Sequence, residues 1–225
     1  MAPISAISMA TRSASSRSAK GGVPFAAAAL ALVLTLVGLA GLPSRALAAP
    51  TDPAAARVDA FDGALIDMMK GGSSLGVKGR ARKITPAVEA TFDLPTMTRF
   101  AVGPTWAQMT PAQQAALTAA FTRLTVANYA HTFDSYGGER FVLDPTVQTR
   151  GADKIVQCQL IPAHDTAVNL IYRMRQTPEG WKIIDVYYNG VSQLTTRRSD
   201  FAAPAVGGAA ALLSHLDALT DKLLK

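Results

Sequence analysis

At Gly137-Gly138 the spacing of apolar residues changes period, and the change obliges the two sides of the chain to fold differently. Upstream, Thr110 can cap a helix, Pro111 occupies its first position and Gln113 stands where a capping box takes Glu or Gln. Leu117, Phe121, Leu124, Tyr129 and Phe133 follow at helical spacing, which predicts a helix from Thr110 to near Tyr136-Gly137-Gly138. Downstream, Val168, Leu170, Tyr172 and Met174 alternate with Asn169, Ile171, Arg173 and Arg175. That is the pattern of a strand with its first set turned inward. A helical stripe and an alternating face in one chain must bury each other, so the expected class is α+β, with helices packed over a curved antiparallel sheet of about four strands.

The other elements follow from local signals. Thr51 or Asp52 can cap a first helix with Pro53 in its first turn, carrying Val58, Phe61, Leu65 and Met68 or Met69 until Gly71-Gly72 stops it. A second helical stretch is expected from about Leu75 to Phe92, interrupted near Pro86, and a short one from Pro95 to Val102. Strands are expected at Arg140 to Leu143 and Lys154 to Leu160. Thr177-Pro178-Glu179-Gly180 forms a turn, and Trp181 to Asn189 returns beside the 168–175 strand. The C-terminal part is helical again, with Leu212 or Leu213, Leu216, Leu219 and Leu223 as its stripe.

Residues 1–48 read as an export signal rather than as part of this domain. Arg12, Arg17 and Lys20 form a positive start, Gly21 to Ser44 carries no charge, and Ala46-Leu47-Ala48 is a small-x-small cleavage site. Cleavage there leaves residues 49–225 as one domain exported to the periplasm. The alternative is a retained signal anchor, since the uncharged run is long enough to span a bilayer. No cysteine stands at the mature N-terminus for lipid attachment, and Arg12 and Arg17 are not adjacent as a twin-arginine signal requires. Four of the 22 basic residues belong to the signal, leaving 18 against 16 acidic ones. The formal charge of +6 is therefore mostly a property of the signal, and the domain carries no broad electrostatic footprint for nucleic acid. Cys158 is the sole cysteine, so no intrachain disulfide forms.

The motifs of catalysis and cofactor binding fail on their chemistry. Gly71-Gly72-Ser73-Ser74-Leu75-Gly76 begins like a phosphate-binding loop, but Val77 stands where the lysine must follow. His131, His164 and His215 have no cysteine or carboxylate at ligand spacing, so neither a metal nor another cofactor is expected. Cys158 with His164 reads less well as a nucleophile and base than Cys158 does as a small core residue. Lys78, Arg80, Arg82 and Lys83 read as a solvated helix face, the alternative being a contact with anionic headgroups or a partner.

Three segments, "FDLPTMTRFAVGPTW", "MTPAQQAALTAAFTRLTVANYAHTF" and "VNLIYRMRQTPEGWKIIDVYYNGVSQLTTRRSDF", together resemble the MlaC family, also known as the toluene-tolerance family. The likeness runs from about Ala54 to the C-terminus and is most specific from Gly180 to Ser192. The "VSQLTTRRSDF" ending is similar to the hopanoid-associated HpnM subgroup. "FAAPAVGGAAALL" departs from the pattern, with Pro204 and Gly207-Gly208 expected to break the helix after the corner. The resemblance implies a monomeric periplasmic carrier that holds phospholipid or a hopanoid-type lipid in an apolar cavity. Its partners would be an inner-membrane Mla-type ABC transporter complex and an outer-membrane lipoprotein complex. It implies cavity walls drawn from Met97, Phe100, Phe121, Leu124 and Tyr129 on the helices, and from Val168, Leu170, Tyr172, Met174, Ile184, Val186, Tyr188, Val191 and Leu194 on the sheet and its corner. Alternation leaves open whether Tyr187 or Tyr188 points inward. A competing class is an isomerase or hydratase on the cone-shaped NTF2-like folds, with Asp185 as base and Tyr172 as donor.

Overall fold

A computed structural model describes residues 52–163 and 165–225. The expected signal segment 1–48, residues 49–51 and His164 lie outside them. Asp52 caps α1 (Pro53–Thr91), its carboxylate accepting from the Ala54 N–H at 2.8 Å. Val58, Phe61, Leu65, Met68 and Met69 form the buried stripe of its first arm. The arm breaks where Gly72 and Gly76 take positive φ (43° and 59°), conformations that cost glycine little and other residues much. The second arm passes through Pro86 without the expected interruption, because Ile84 and Val88 on either side are fully buried and hold the helix down. Arg80 departs from the solvated face expected of its cluster. It is buried, donating from Nε to the Ala130 carbonyl at 2.8 Å and from Nη1 to the Gly72 carbonyl at 3.0 Å, and so ties the break to the next long helix.

Asp93 caps α2 (Leu94–Val102), and a 3-10 turn (Gly103–Gln108) leads to α3 (Pro111–Thr132), whose Thr110/Gln113 capping box is formed in both directions. α3 ends before the expected Tyr136-Gly137-Gly138. Phe133 is its C-cap, leaving helical geometry while its ring stacks on Tyr129 and leans on Phe141.

The sheet has six strands, two more than expected: β1 (Arg140–Leu143), β2 (Gln148–Arg150), β3 (Asp153–Ile161), β4 (Val168–Thr177), β5 (Gly180–Tyr188) and β6 (Val191–Ser192). It is open and antiparallel in the order β1-β3-β4-β5-β6, with β2 also paired to β3. The two additional strands have three and two residues, too short to show a period in sequence. β5 and β6 are joined by Asn189-Gly190, both at positive φ (45° and 84°), the two-residue hairpin turn that Asn-Gly favours. Ser192 then caps α4 (Gln193–Val206) by accepting from the Thr195 N–H. The helix breaks at Gly207-Gly208 and continues as α5 (Gly208–Leu223), with Pro204 accommodated inside α4. On α5, Leu212 and Leu216 are buried while Leu213, Leu219 and Leu223 pack at the margin.

α1 docks on the sheet through its C-terminal end. The Asp93 N–H donates to the Ile183 carbonyl at 2.9 Å, and Phe92 bridges to Ile183. α3 packs between α1 and α5, and α4 closes over α2 and the end of β5.

Candidate functional site

One irregularity in the sheet decides which side chains face the helices. Counted back from the Thr177–Gly180 turn, Tyr172 would stand beside Asp185. The register instead slips by one residue between Arg173 and Met174, leaving Ile184 as the extra residue of β5. Tyr172 therefore pairs with Val186 and Leu170 with Tyr188, while Asp185 is opposite Arg173. The bulge turns Val186 and Tyr188 to the helix side and Asp185 and Tyr187 away from it.

Leu170, Tyr172, Val186 and Tyr188 form the floor of a cavity between sheet and helices. Leu65 and Phe92 from α1 and Met97 from α2 close one side, and Phe121, Tyr129 and Phe133 another. Phe61, Phe92 and Tyr129 meet edge-on or tilted at 5.1–5.8 Å and stiffen this wall from behind. Leu194, Gln193 and Arg197 of α4 form the remaining side. The cavity proper measures about 100 Å³ and, with its open mouth, the cleft encloses about 800 Å³ free of atoms. A larger groove of about 880 Å³ is lined by Val142 to Pro145, Gln157, Gln159, Asn169 and Asn189, and its walls are as polar as they are apolar. Ligand sites are concave and chiefly apolar, and of the two it is the first cavity whose walls are chiefly apolar.

Of the residues expected on the walls, Met97, Phe121, Tyr129, Leu170, Tyr172, Val186, Tyr188 and Leu194 come together there. The others do not. Phe100 is 40 % exposed and borders a separate surface groove with Arg99, Trp106 and Arg198, because α2 turns only Leu94, Met97, Thr98, Ala101 and Val102 inward. Val191 follows the hairpin turn and is 51 % exposed. Leu124, Val168, Met174 and Ile184 are buried in the core and not on the cavity wall. Val168 and Met174 lie towards the ends of β4, beyond the two central positions that reach the cavity. Ile184 is displaced by the bulge. Sequence reasoning missed Leu65, Phe92, Phe133 and the polar Thr125, Asn128, Thr132, Gln193 and Arg197. Thr125, Asn128 and Thr132 share the α3 stripe of Phe121 and Tyr129, but an apolar pattern search passes over polar residues.

Behind the floor lies a buried acid. Asp62 of α1 is 3 % exposed; its Oδ1 accepts from the Tyr172 hydroxyl at 3.0 Å and its Oδ2 from the Cys158 thiol at 3.4 Å. Burial pushes this carboxyl up to about 8, against the opposing pull of the two hydrogen bonds and with a further rise from Asp59. Burial, with the Asp62 charge added, raises the Tyr129 and Tyr172 phenols and the Cys158 thiol as well. Cys158 is thus an inert, buried thiol, as the core reading requires.

The catalytic pair considered from sequence is not assembled. Tyr172 is committed to Asp62, and Asp185 is bound at the corner: Ser192 Oγ donates to its Oδ2 at 2.6 Å and the Leu194 N–H to its Oδ1 at 3.0 Å. Asp185 fixes the start of α4 on the end of the sheet. Asp185→Asn should therefore lower stability by about 1 kcal/mol, since two charge-assisted hydrogen bonds become neutral ones, without altering ligand uptake. Chemical denaturation measures the loss. A reaction product formed from the bound ligand by the wild type and lost in this variant would return Asp185 to a catalytic role.

Among the described residues, no three His, Cys, Asp or Glu side chains converge as a metal site, and no helix is long and apolar enough to cross a membrane. No curated protein sequence matches the chain significantly. The fold is similar to that of a phospholipid-binding protein from Ralstonia solanacearum, solved in complex with a phospholipid. The two share 25 % identity with a TM-score of 0.66, over 77 % of this chain and 100 % of that one. The MlaC protein profile matches residues 60–220, a span running from the first arm of α1 through the cavity floor to α5. With its sheet, its cavity and the helices that line it inside that match, the chain belongs to the MlaC family.

Proposed function

We propose that the protein is a periplasmic phospholipid carrier that takes acyl chains into the cavity above Leu170, Tyr172, Val186 and Tyr188. The observation that carries this reading is the enclosed apolar cavity, in a fold whose Ralstonia relative was solved with a phospholipid bound. A two-chain lipid has about 30 methylenes, and at about 0.8 kcal/mol each their exposure to water costs on the order of 20 kcal/mol. Unassisted passage through an aqueous compartment is negligible at that cost. A dry cavity removes most of it without any catalytic group. The cargo moves between an inner-membrane Mla-type ABC transporter complex and an outer-membrane lipoprotein complex, and these partners set the direction. Export occurs through the 1–48 signal, cut after Ala48.

Organic extraction of protein purified from its native compartment tests the reading. Stoichiometric phospholipid is expected, on a chain whose intact mass begins at Ala49. Hopanoid in place of phospholipid would change the cargo, and an empty protein that turns over a substrate would overturn the carrier.

A further inference from the structure

Among the described residues, Arg197 is the one charged side chain on the cavity wall. It lies on the second turn of α4 and its side chain is 20 % exposed. Its only ion pair among the described residues is with Asp200, at 3.7 Å, beyond hydrogen-bonding reach, and Asp200 is itself 33 % exposed. No carboxylate among the described residues stands on the wall to answer it. The polar neighbours offer no negative charge: Thr125, Asn128 and Gln193 are neutral and donate to the Phe121, Leu124 and Val191 carbonyls. Burial works against the cation, drawing its pKa down, with Asp200 a smaller opposing influence. A largely buried guanidinium with uncommitted N–H groups is a costly arrangement unless an anion completes it. The planar fork of arginine matches phosphate with two parallel hydrogen bonds.

We propose that Arg197 is the headgroup determinant of this cavity: it pairs with the phosphate of the lipid whose chains lie against Leu170 and Tyr188, so the cavity selects phosphate-bearing lipids over phosphate-free lipids with the same chains. This rests on the carrier reading and names its substrate class. Chains lying against Leu170 and Tyr188 share the cavity with this cation of its wall. Two fillings of equal apolar bulk, one carrying a phosphate and one neutral, are then distinguished by a single charge.

The test uses the delipidated mature protein, loaded from vesicles containing phosphatidylglycerol or diacylglycerol of matched chains, with occupancy read by native mass spectrometry. Wild type should load phosphatidylglycerol at least about tenfold better than diacylglycerol. Arg197→Gln should lose that preference through a fall in phosphatidylglycerol loading while its diacylglycerol loading stays at the wild-type level, and Arg197→Lys should restore part of it. Equal preference in wild type and Arg197→Gln overturns the proposal. Wild type that loads neither lipid would instead defeat the carrier reading itself. Inorganic phosphate alone, titrated calorimetrically, distinguishes the other source of the same chemistry: submillimolar phosphate binding that Arg197→Gln abolishes, with no lipid preference in wild type, makes this a free-phosphate site and overturns the headgroup assignment.

Discussion

Leu170→Glu is expected to empty the cavity while leaving the domain folded. Leu170 stands at the centre of the floor, paired with Tyr188 and buried on the face that the helices cover. A glutamate there points its carboxylate among acyl chains, where it either goes unpaired or takes Arg197 of the side wall away from the lipid phosphate. Burying an unpaired charge costs several kcal/mol, so lipid affinity should fall by more than about a hundredfold. In the empty cavity the carboxylate can turn towards the open mouth and stay hydrated, which spares folding most of that cost. Val191→Glu is the matched comparison. The family resemblance places Val191 on the same wall, but the hairpin leaves it exposed, so its substitution should not change occupancy. Native mass spectrometry with circular dichroism on both variants checks the pair. Undiminished lipid in a folded Leu170→Glu protein would show that β4 does not line the ligand site.

Asp62→Asn should make the protein more stable in neutral and mildly alkaline solution and flatten its dependence on pH. The native carboxyl is pushed up to about 8 from a model-compound value of 3.8, chiefly by burial. Between those values the native state keeps a proton that the unfolded chain has released. Stability contributed by this group is therefore complete below the unfolded value and is lost as pH rises towards the native one. The slope is about 1.4 kcal/mol per pH unit while the window lasts, so the loss by pH 8 is on the order of 5 kcal/mol. Asparagine keeps the shape, still accepts from the Tyr172 hydroxyl and has no proton to lose. Urea midpoints at pH 5 and pH 8 make the comparison. Wild type should drop between them and the variant should not; equal wild-type midpoints would mean that Asp62 is not held protonated under the cavity floor.

Local signals in the sequence were sufficient for most of the secondary structure because each depends on neighbours a few residues apart. The Thr110/Gln113 capping box, the alternation from Val168 to Met174 and the change of period at Gly137-Gly138 act over one or two turns of chain, and all appear in the fold. The short strands β2 and β6 were invisible because two or three residues carry no period. Pro86 read as a break because its own propensity is local, whereas the burial of Ile84 and Val88 that overrides it is tertiary.

The site was legible only in part, for the same reason carried to longer range. Alternation shows that β4 and β5 each have an apolar face, but it does not show how the faces are paired. The single-residue bulge between Arg173 and Met174 decided that Tyr188 and Val186 face the cavity, and it parted Asp185 from Tyr172. Asp62 reaches Tyr172 across 110 residues of chain, and Arg197 joins the wall only because Asp185 fixes the start of α4 over the end of the sheet. The sequence by itself determined the elements, their caps and the α+β class, since these follow from interactions within a turn or between adjacent strands. Tertiary structure alone decided which faces enclose the cavity, which acid lies beneath it and which cation stands at its side, because those depend on strand register and helix docking, where a shift of one residue reverses the face that every side chain presents.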